Sequence, residues 1–249
     1  MIKNILHENQ ETPFPESSSL QQLTNDFGDF FSQKIKLIRD AFDDTIEPDQ
    51  DNPVIPETQK LSDFQLVTED EIKKMISSSP TKSCDLDPLP TKLLKECLAE
   101  LCPVITKIIN LSLSMGVFPP QFKSAILTPL LKKLGLELIF KNYRPVSNLA
   151  FISKLDERVV AKQLVNHLVS NEMYDPLQSA YRDHHSTETA ILKVHNDILE
   201  SMDKQNVVLL VLLDLSAAFD TVDHTILLNR LKHRMGVERT VLQWMESYL

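Results

Sequence analysis

Apolar positions recur at helical spacing early in the chain. Leu20, Leu23, Phe27, Phe30, Phe31, Ile35 and Ile38 predict one amphipathic helix reaching about Phe42. Residues 1–17, before it, are polar and punctuated by proline, and residues 43–59, after it, are acidic and carry Pro48, Pro53 and Pro56, a mobile-linker composition. Thr68 followed by Glu71 is a capping-box pattern that opens a short helix ending near Pro80. From Asp85 prolines interrupt helical patterns, and Met115-Gly116 ends the last of them, so a compact helical subdomain is expected.

Residues 125–131 then read as a strand that Pro129 confines to a sheet edge and that Lys132-Lys133 closes. Residues 142–147 are extended, because Pro145 disfavours a helix at Arg144. Helices are expected at 151–169, at 187–202 with Ser186 as cap, at 224–233 and at 238–249. The pattern stops there without a cap or polar tail, which predicts a truncated chain.

The most informative stretch is 207–223. Seven consecutive apolar residues, 207–213, predict a strand buried on both faces, and they end abruptly in Asp214. A carboxylate at that point is costly unless it is solvated, paired or bound to a cation, and a hard divalent ion such as Mg²⁺ suits it. Asp214, Ser216 or Asp220 would equally serve as the cap of the following helix.

Composition narrows the alternatives. The 249 residues are 42% hydrophobic, enough for a real core. Net charge is −9, but residues 1–79 hold 7 basic against 16 acidic side chains while 80–249 hold 19 of each. Within 120–182 there are 9 basic and 5 acidic residues, a mild excess that would suit phosphates or be ordinary solvated surface. Three clustered cysteines give neither a disulfide framework nor a zinc spacing, no apolar run reaches about 18 residues, and no signal-peptide pattern is seen. An intracellular protein, nuclear or cytoplasmic and without a membrane partner, is therefore expected. Only 4 glycines occur, and none builds a phosphate-cradling loop of the P-loop or Rossmann kind.

Five blocks, in series, carry a resemblance: KSCDLDPLPTKLLKE, GVFPPQFKSAILTPLLKK, NYRPVSNL with the trailing SKLDERVVAKQL, LQSAYRDHHSTETA, and LVLLDLSAAFDTVDHTILLNRL. Together they resemble the reverse transcriptases of LINE-type (non-LTR), jockey-like retrotransposons, from about Leu66 to the last residue. The resemblance implies DNA synthesis on an RNA template within a right-hand arrangement, with a DNA primer and dNTPs as partners and Mg²⁺ as cofactor. The expected fold is α+β: a mainly helical fingers region with short strands, then the beginning of the palm. It divides the chain into an acidic N-terminal helix and linker (1–65), a fingers-like region (66–205) and the start of the palm (206–249).

By the same resemblance, Asp214 matches the first metal-binding carboxylate, with the Leu215 carbonyl as a further ligand. Phe219 matches the side chain that crowds a ribose 2′ hydroxyl. Arg144 matches a fingers arginine that grips triphosphate oxygens, and Lys132 or Lys133 a nearby basic contact. Read without the resemblance, Phe219 suits a core and the lysines suit a surface.

Departures are as informative. The family's paired-aspartate turn, the glycine- and glutamine-rich block before it, the thumb and the preceding endonuclease domain are not found in this sequence. Asp183 stands where relatives commonly show proline, and LGLELIFKNYRP looks altered. The leading expectation is thus a partial polymerase domain, inactive alone and prone to self-association through 207–213. A non-catalytic RNA- or protein-binding remnant is the alternative. A third reading, an acidic helical interaction protein, leaves Asp214 and NYRP unexplained.

Overall fold

The structure, a computed structural model, describes residues 14–41, 55–215 and 217–249. Eight helices and one two-stranded sheet are found among them: α1 (Leu20–Asp40), α2 (Glu69–Ser78), α3 (Thr91–Glu96), α4 (Leu98–Met115), β1 (Ala125–Leu131), β2 (Tyr143–Leu149), α5 (Phe151–Ser170), α6 (Thr187–Asp203), α7 (His224–Met235) and α8 (Arg239–Tyr248). The α+β expectation holds in this coarse form. Most of the proposed linker, 42–54, lies outside the described residues.

Local chemistry sets most of these boundaries. Ser19 Oγ accepts from the Gln22 amide to start α1, Thr68 and Glu71 complete the capping box of α2, and Ser186 and Thr189 do the same for α6. Gly116 and Gly236 end α4 and α7 in left-handed conformations, at φ +64 and +65. Both are also points of close approach: a Cβ would sit 2.8 Å from the Thr240 carbonyl oxygen in one case and 2.7 Å from that of Gln59 in the other. Pro103, expected to interrupt a helix, lies inside α4.

The main core gathers α2, α4, α5, α7 and α8. Ile72, Ile76, Ile109, Leu113, Val237 and Val241 are fully buried within it. α4 is long and apolar enough to cross a membrane by length and composition, yet Cys102, Ile105, Ile109 and Leu113 make it the inner helix of this core. Residues beyond the linker join the same body. Leu61 pairs in parallel with Val237, and Phe64 packs edge-on to Trp244 at 6.0 Å.

At the centre lies a polar chain. Trp244 Nε1 donates to Ser112 Oγ at 2.9 Å, and Ser112 Oγ donates to Asp156 Oδ2 at 2.8 Å, linking α8, α4 and α5. Asp156 is fully buried, its Oδ1 is without a hydrogen-bond partner, and burial pushes its carboxyl up to about 6, with the neighbouring Glu157 adding to the shift. Glu157 is itself raised by burial and accepts from the Tyr248 hydroxyl at 3.1 Å.

A second, smaller cluster fixes α1. Its Leu23, Phe27 and Phe31 bury Tyr143 of β2, with Phe27 5.1 Å from the Tyr143 ring and 4.8 Å from Phe140. The amphipathic face of α1 is thus spent on the β-hairpin.

The strand expected at 207–213 is not formed. Those residues carry no regular element, and Val207 and Leu213 are 99% and 89% exposed. A strand exists only through its ladder, and the one sheet among the described residues is β1-β2, so 207–213 has nothing to pair with. α6 likewise has no buried residue.

Asp156 gives the first prediction. Its folded value lies above the ordinary 3.8, so the charged form is the destabilising one. Its contribution is most favourable below pH about 4 and is lost as pH rises through about 6. Asp156→Asn removes the charge and keeps an acceptor for Ser112. Urea melts should show variant and wild type with similar stability near pH 4, and the variant ahead by about 2–3 kcal/mol at about pH 8. A gap that does not change with pH would contradict a buried carboxylate here.

Candidate nucleotide and metal site

The hairpin carries the basic half of the site. β1 and β2 are antiparallel, with Leu130 opposite Arg144, Leu131 opposite Tyr143 and Pro129 opposite Pro145. Opposed prolines place both missing donors in a single pair, so other rungs of the ladder are spared. The Lys132 amide donates to the Asn142 carbonyl at 2.9 Å and its Nζ to that of Lys141 at 2.7 Å, closing the base of the hairpin loop. Arg144, Lys132 and Lys133 are all exposed. Buried Tyr143, held by α1, anchors the backbone from which Arg144 projects.

Asp214 and Leu215 follow the irregular segment 207–213 and are exposed. The chain then turns at Ala217, which has φ +53 and whose carbonyl accepts from the amides of Asp220 and Thr221 at 3.0 and 3.1 Å. The cap of α7 is Asp223, whose carboxylate accepts from the Ile226 amide at 2.8 Å, so capping does not account for Asp214 or Asp220.

Phe219 is 78% exposed, which removes the core reading of that side chain. Its ring meets Tyr181 edge-on at 6.2 Å, bringing the LQSAYRDHH block against the FDTVD turn. Tyr181 went unnoticed in the sequence; its position inside a family-like block was the available signal. Arg39, near the end of α1, donates to the Asp220 carbonyl at 3.4 Å, a weak link between α1 and the same turn.

These groups do not form one closed centre. Among the described residues no ion pair or hydrogen bond joins Asp214 to Arg144, Lys132 or Lys133. No group of three or more His, Cys, Asp or Glu side chains able to hold a metal ion occurs among them. Mg²⁺ takes six oxygens in near-octahedral geometry, several of them from water or phosphate, and Asp214 with the Leu215 carbonyl would supply two of the six.

Residues 131–249 match the family model for reverse transcriptase (RNA-dependent DNA polymerase). The matched span includes Lys132, Lys133, Arg144, Asp214, Leu215 and Phe219. The resemblance drawn from the sequence blocks is therefore borne out as a similarity: residues 131–249 match a reverse transcriptase model, and the chain is similar to curated polymerases of the BS, jockey and X-element transposons.

Among curated relatives, the chain is 30% identical over 164 residues to the probable RNA-directed DNA polymerase from transposon BS of Drosophila melanogaster, covering 66% of this chain and 18% of that protein. It is 28% identical over 167 residues to the polymerase from mobile element jockey of the same species, covering 67% and 18%. It is 26% identical over 201 residues to the probable polymerase from transposon X-element, also of that species, covering 81% and 22%. The chain thus spans about a fifth of the length of these relatives.

The exposed apolar run yields a prediction about association. Leu209 and Leu213 are 86% and 89% exposed, and neither contributes to either core cluster. The wild-type chain should elute from size exclusion as an oligomer, and Leu209→Lys with Leu213→Lys should shift it to monomer without lowering the melting temperature. A monodisperse wild-type monomer would contradict this.

Proposed function

We propose that this chain is part of an RNA-directed DNA polymerase, supplying the fingers and the first palm motif, and that alone it does not extend a primer. The observation that carries the reading is the reverse transcriptase match across 131–249, which includes Arg144 on β2 and the Asp214 turn. In this reading the exposed guanidinium of Arg144 grips triphosphate oxygens, assisted by Lys132 or Lys133. Phe219 crowds the sugar of the incoming nucleotide, and Tyr181 supports its ring from the edge. Asp214 and the Leu215 carbonyl contribute oxygens to a Mg²⁺ site that needs further carboxylates. The remaining partners, an RNA template, a DNA primer and dNTPs, follow from the same reading, as does an intracellular setting.

The solitary state of Asp214 generates the test. In-line nucleotide transfer places charge on both the attacking and the leaving oxygen, and one carboxylate does not organise both ends. The purified chain should give no primer extension on an RNA template with Mg²⁺ and dNTPs; incorporation above background that disappears in Asp214→Ala would overturn the expectation.

In a longer polymerase containing this region, Arg144→Ala should raise the KM for nucleotide by the equivalent of one charge-assisted contact, about 1.5–3 kcal/mol. Unchanged nucleotide dependence would return Arg144 to the surface. Phe219→Val in the same protein should increase ribonucleotide incorporation relative to deoxynucleotide, and an unaltered ratio would reject the gate.

A further inference from the structure

α1 lies ahead of the span that matches the reverse transcriptase model, residues 131–249, yet it supplies the apolar cover of the hairpin that carries Arg144. Phe27, Phe30 and Phe31 share one face of α1, at the spacing i, i+3 and i+4 that makes helical neighbours. Phe27 meets the Tyr143 ring edge-on at 5.1 Å and the Phe140 ring at 4.8 Å, and Phe30 meets Phe140 at 5.8 Å. Just before α1, Phe14 stacks on Tyr143 at 6.3 Å, with the ring planes 19° apart. Tyr143 is left 2% exposed.

The hairpin does little by itself to fix its register. Residues 132–142 join the strands through a loop too long to impose the pairing as a tight turn would. The rung beside Arg144 pairs Pro129 with Pro145 and so contains no N–H donor. Among the described residues, none from β1 or β2 belongs to the main core cluster. Side chains alternate between the two faces of a strand, so the face on which α1 buries Tyr143 leaves the other, exposed face to Arg144. A slip of one residue would reverse this and turn Arg144 toward the aromatic cluster.

We propose that α1 is a register clamp for the hairpin and that Phe27 is a positioning residue for Arg144, acting through Tyr143. The functional half of this proposal rests on the reading of Arg144 as the group that grips triphosphate oxygens. It extends that reading by giving a part in nucleotide binding to a helix outside the matched span. Phe27 touches no nucleotide in this arrangement. Its contribution is to hold the guanidinium on the open face of the hairpin beforehand, so that binding need not also order the strand.

Two measurements test this. Hydrogen exchange on the full chain should show the amides of β1 and β2 about tenfold or more less protected in Phe27→Ala, with those of α4 unchanged. Phe27→Leu, which keeps a large apolar side chain, should restore most of the protection, and Leu37→Ala, at an exposed position of α1, should behave as wild type. In a longer polymerase containing this region, Phe27→Ala should raise the KM for nucleotide by about threefold to tenfold with kcat little changed. Phe27→Ala combined with Arg144→Ala should have a KM little above that of Arg144→Ala alone, because the clamp acts through that arginine. Unchanged hairpin exchange in Phe27→Ala, or a KM effect that adds fully to that of Arg144→Ala, would overturn the proposal. Loss of protection that extends equally to α4 would overturn it too, since Phe27 would then be a general stabilising residue. If Arg144→Ala itself leaves KM unaltered, the nucleotide reading has failed, and hairpin exchange alone decides whether α1 is the clamp.

Discussion

The helical body depends on finding a partner for one indole N–H. Trp244 is buried, and its large ring organises α8 against Phe64, Phe118 and Tyr248, the last stacked at 5.2 Å. An indole in that position must donate or lose the cost of a stranded polar group. Ser112 is the one side chain that meets it, and a serine that accepts from the indole still has a proton to place. Asp156 takes that proton, so satisfying Trp244 ends in a carboxylate without solvent. Packing three helices around this chain aligns α4, α5 and α8.

The candidate site residues have the opposite character. Arg144, Lys132, Asp214 and Phe219 are exposed, on a two-stranded hairpin and on a turn, and none belongs to the main core. The hairpin owes its position to the aromatic face of α1, since a two-stranded sheet is marginal by itself. The Asp214 turn is more lightly held, by Tyr181 against Phe219 and by a long Arg39 contact to the Asp220 carbonyl. Burial is therefore concentrated in the helical core, whereas residues 207–215, leading to and including Asp214, have no buried side chain.

Local signals in the sequence were read with little loss. Caps at Thr68 and Ser186 and the stop at Gly116 depend on a few neighbouring atoms, and the elements they bound lie within about two residues of expectation. β1 coincides with the apolar run closed by Lys132-Lys133. What was not legible depends on distant parts of the chain. Asp156 sits in the charged triplet Asp156-Glu157-Arg158, which reads as solvated surface, yet helical spacing puts it on one face with Ser153 and Val160, both buried. Nor does periodicity say which surface an amphipathic helix will cover, so the docking of α1 on Tyr143 could not be foreseen.

The 207–213 run shows the same limit in its sharpest form. Its composition demands burial, and composition alone cannot supply the strands that would provide it. Each large apolar side chain left in water forgoes roughly 1.5–3 kcal/mol of burial, so the run represents a substantial free energy that the described residues do not recover. Any surface that recovers it must bind the segment directly before Asp214. Burial of the run and placement of that carboxylate are therefore one event, since ordering an extended chain through Leu213 also sets the direction in which residue 214 leaves it. A carboxylate meant to meet a cation gains from this coupling. In the proposed reading its backbone is ordered only once a surface covers the run, and without that surface the charge stays solvated.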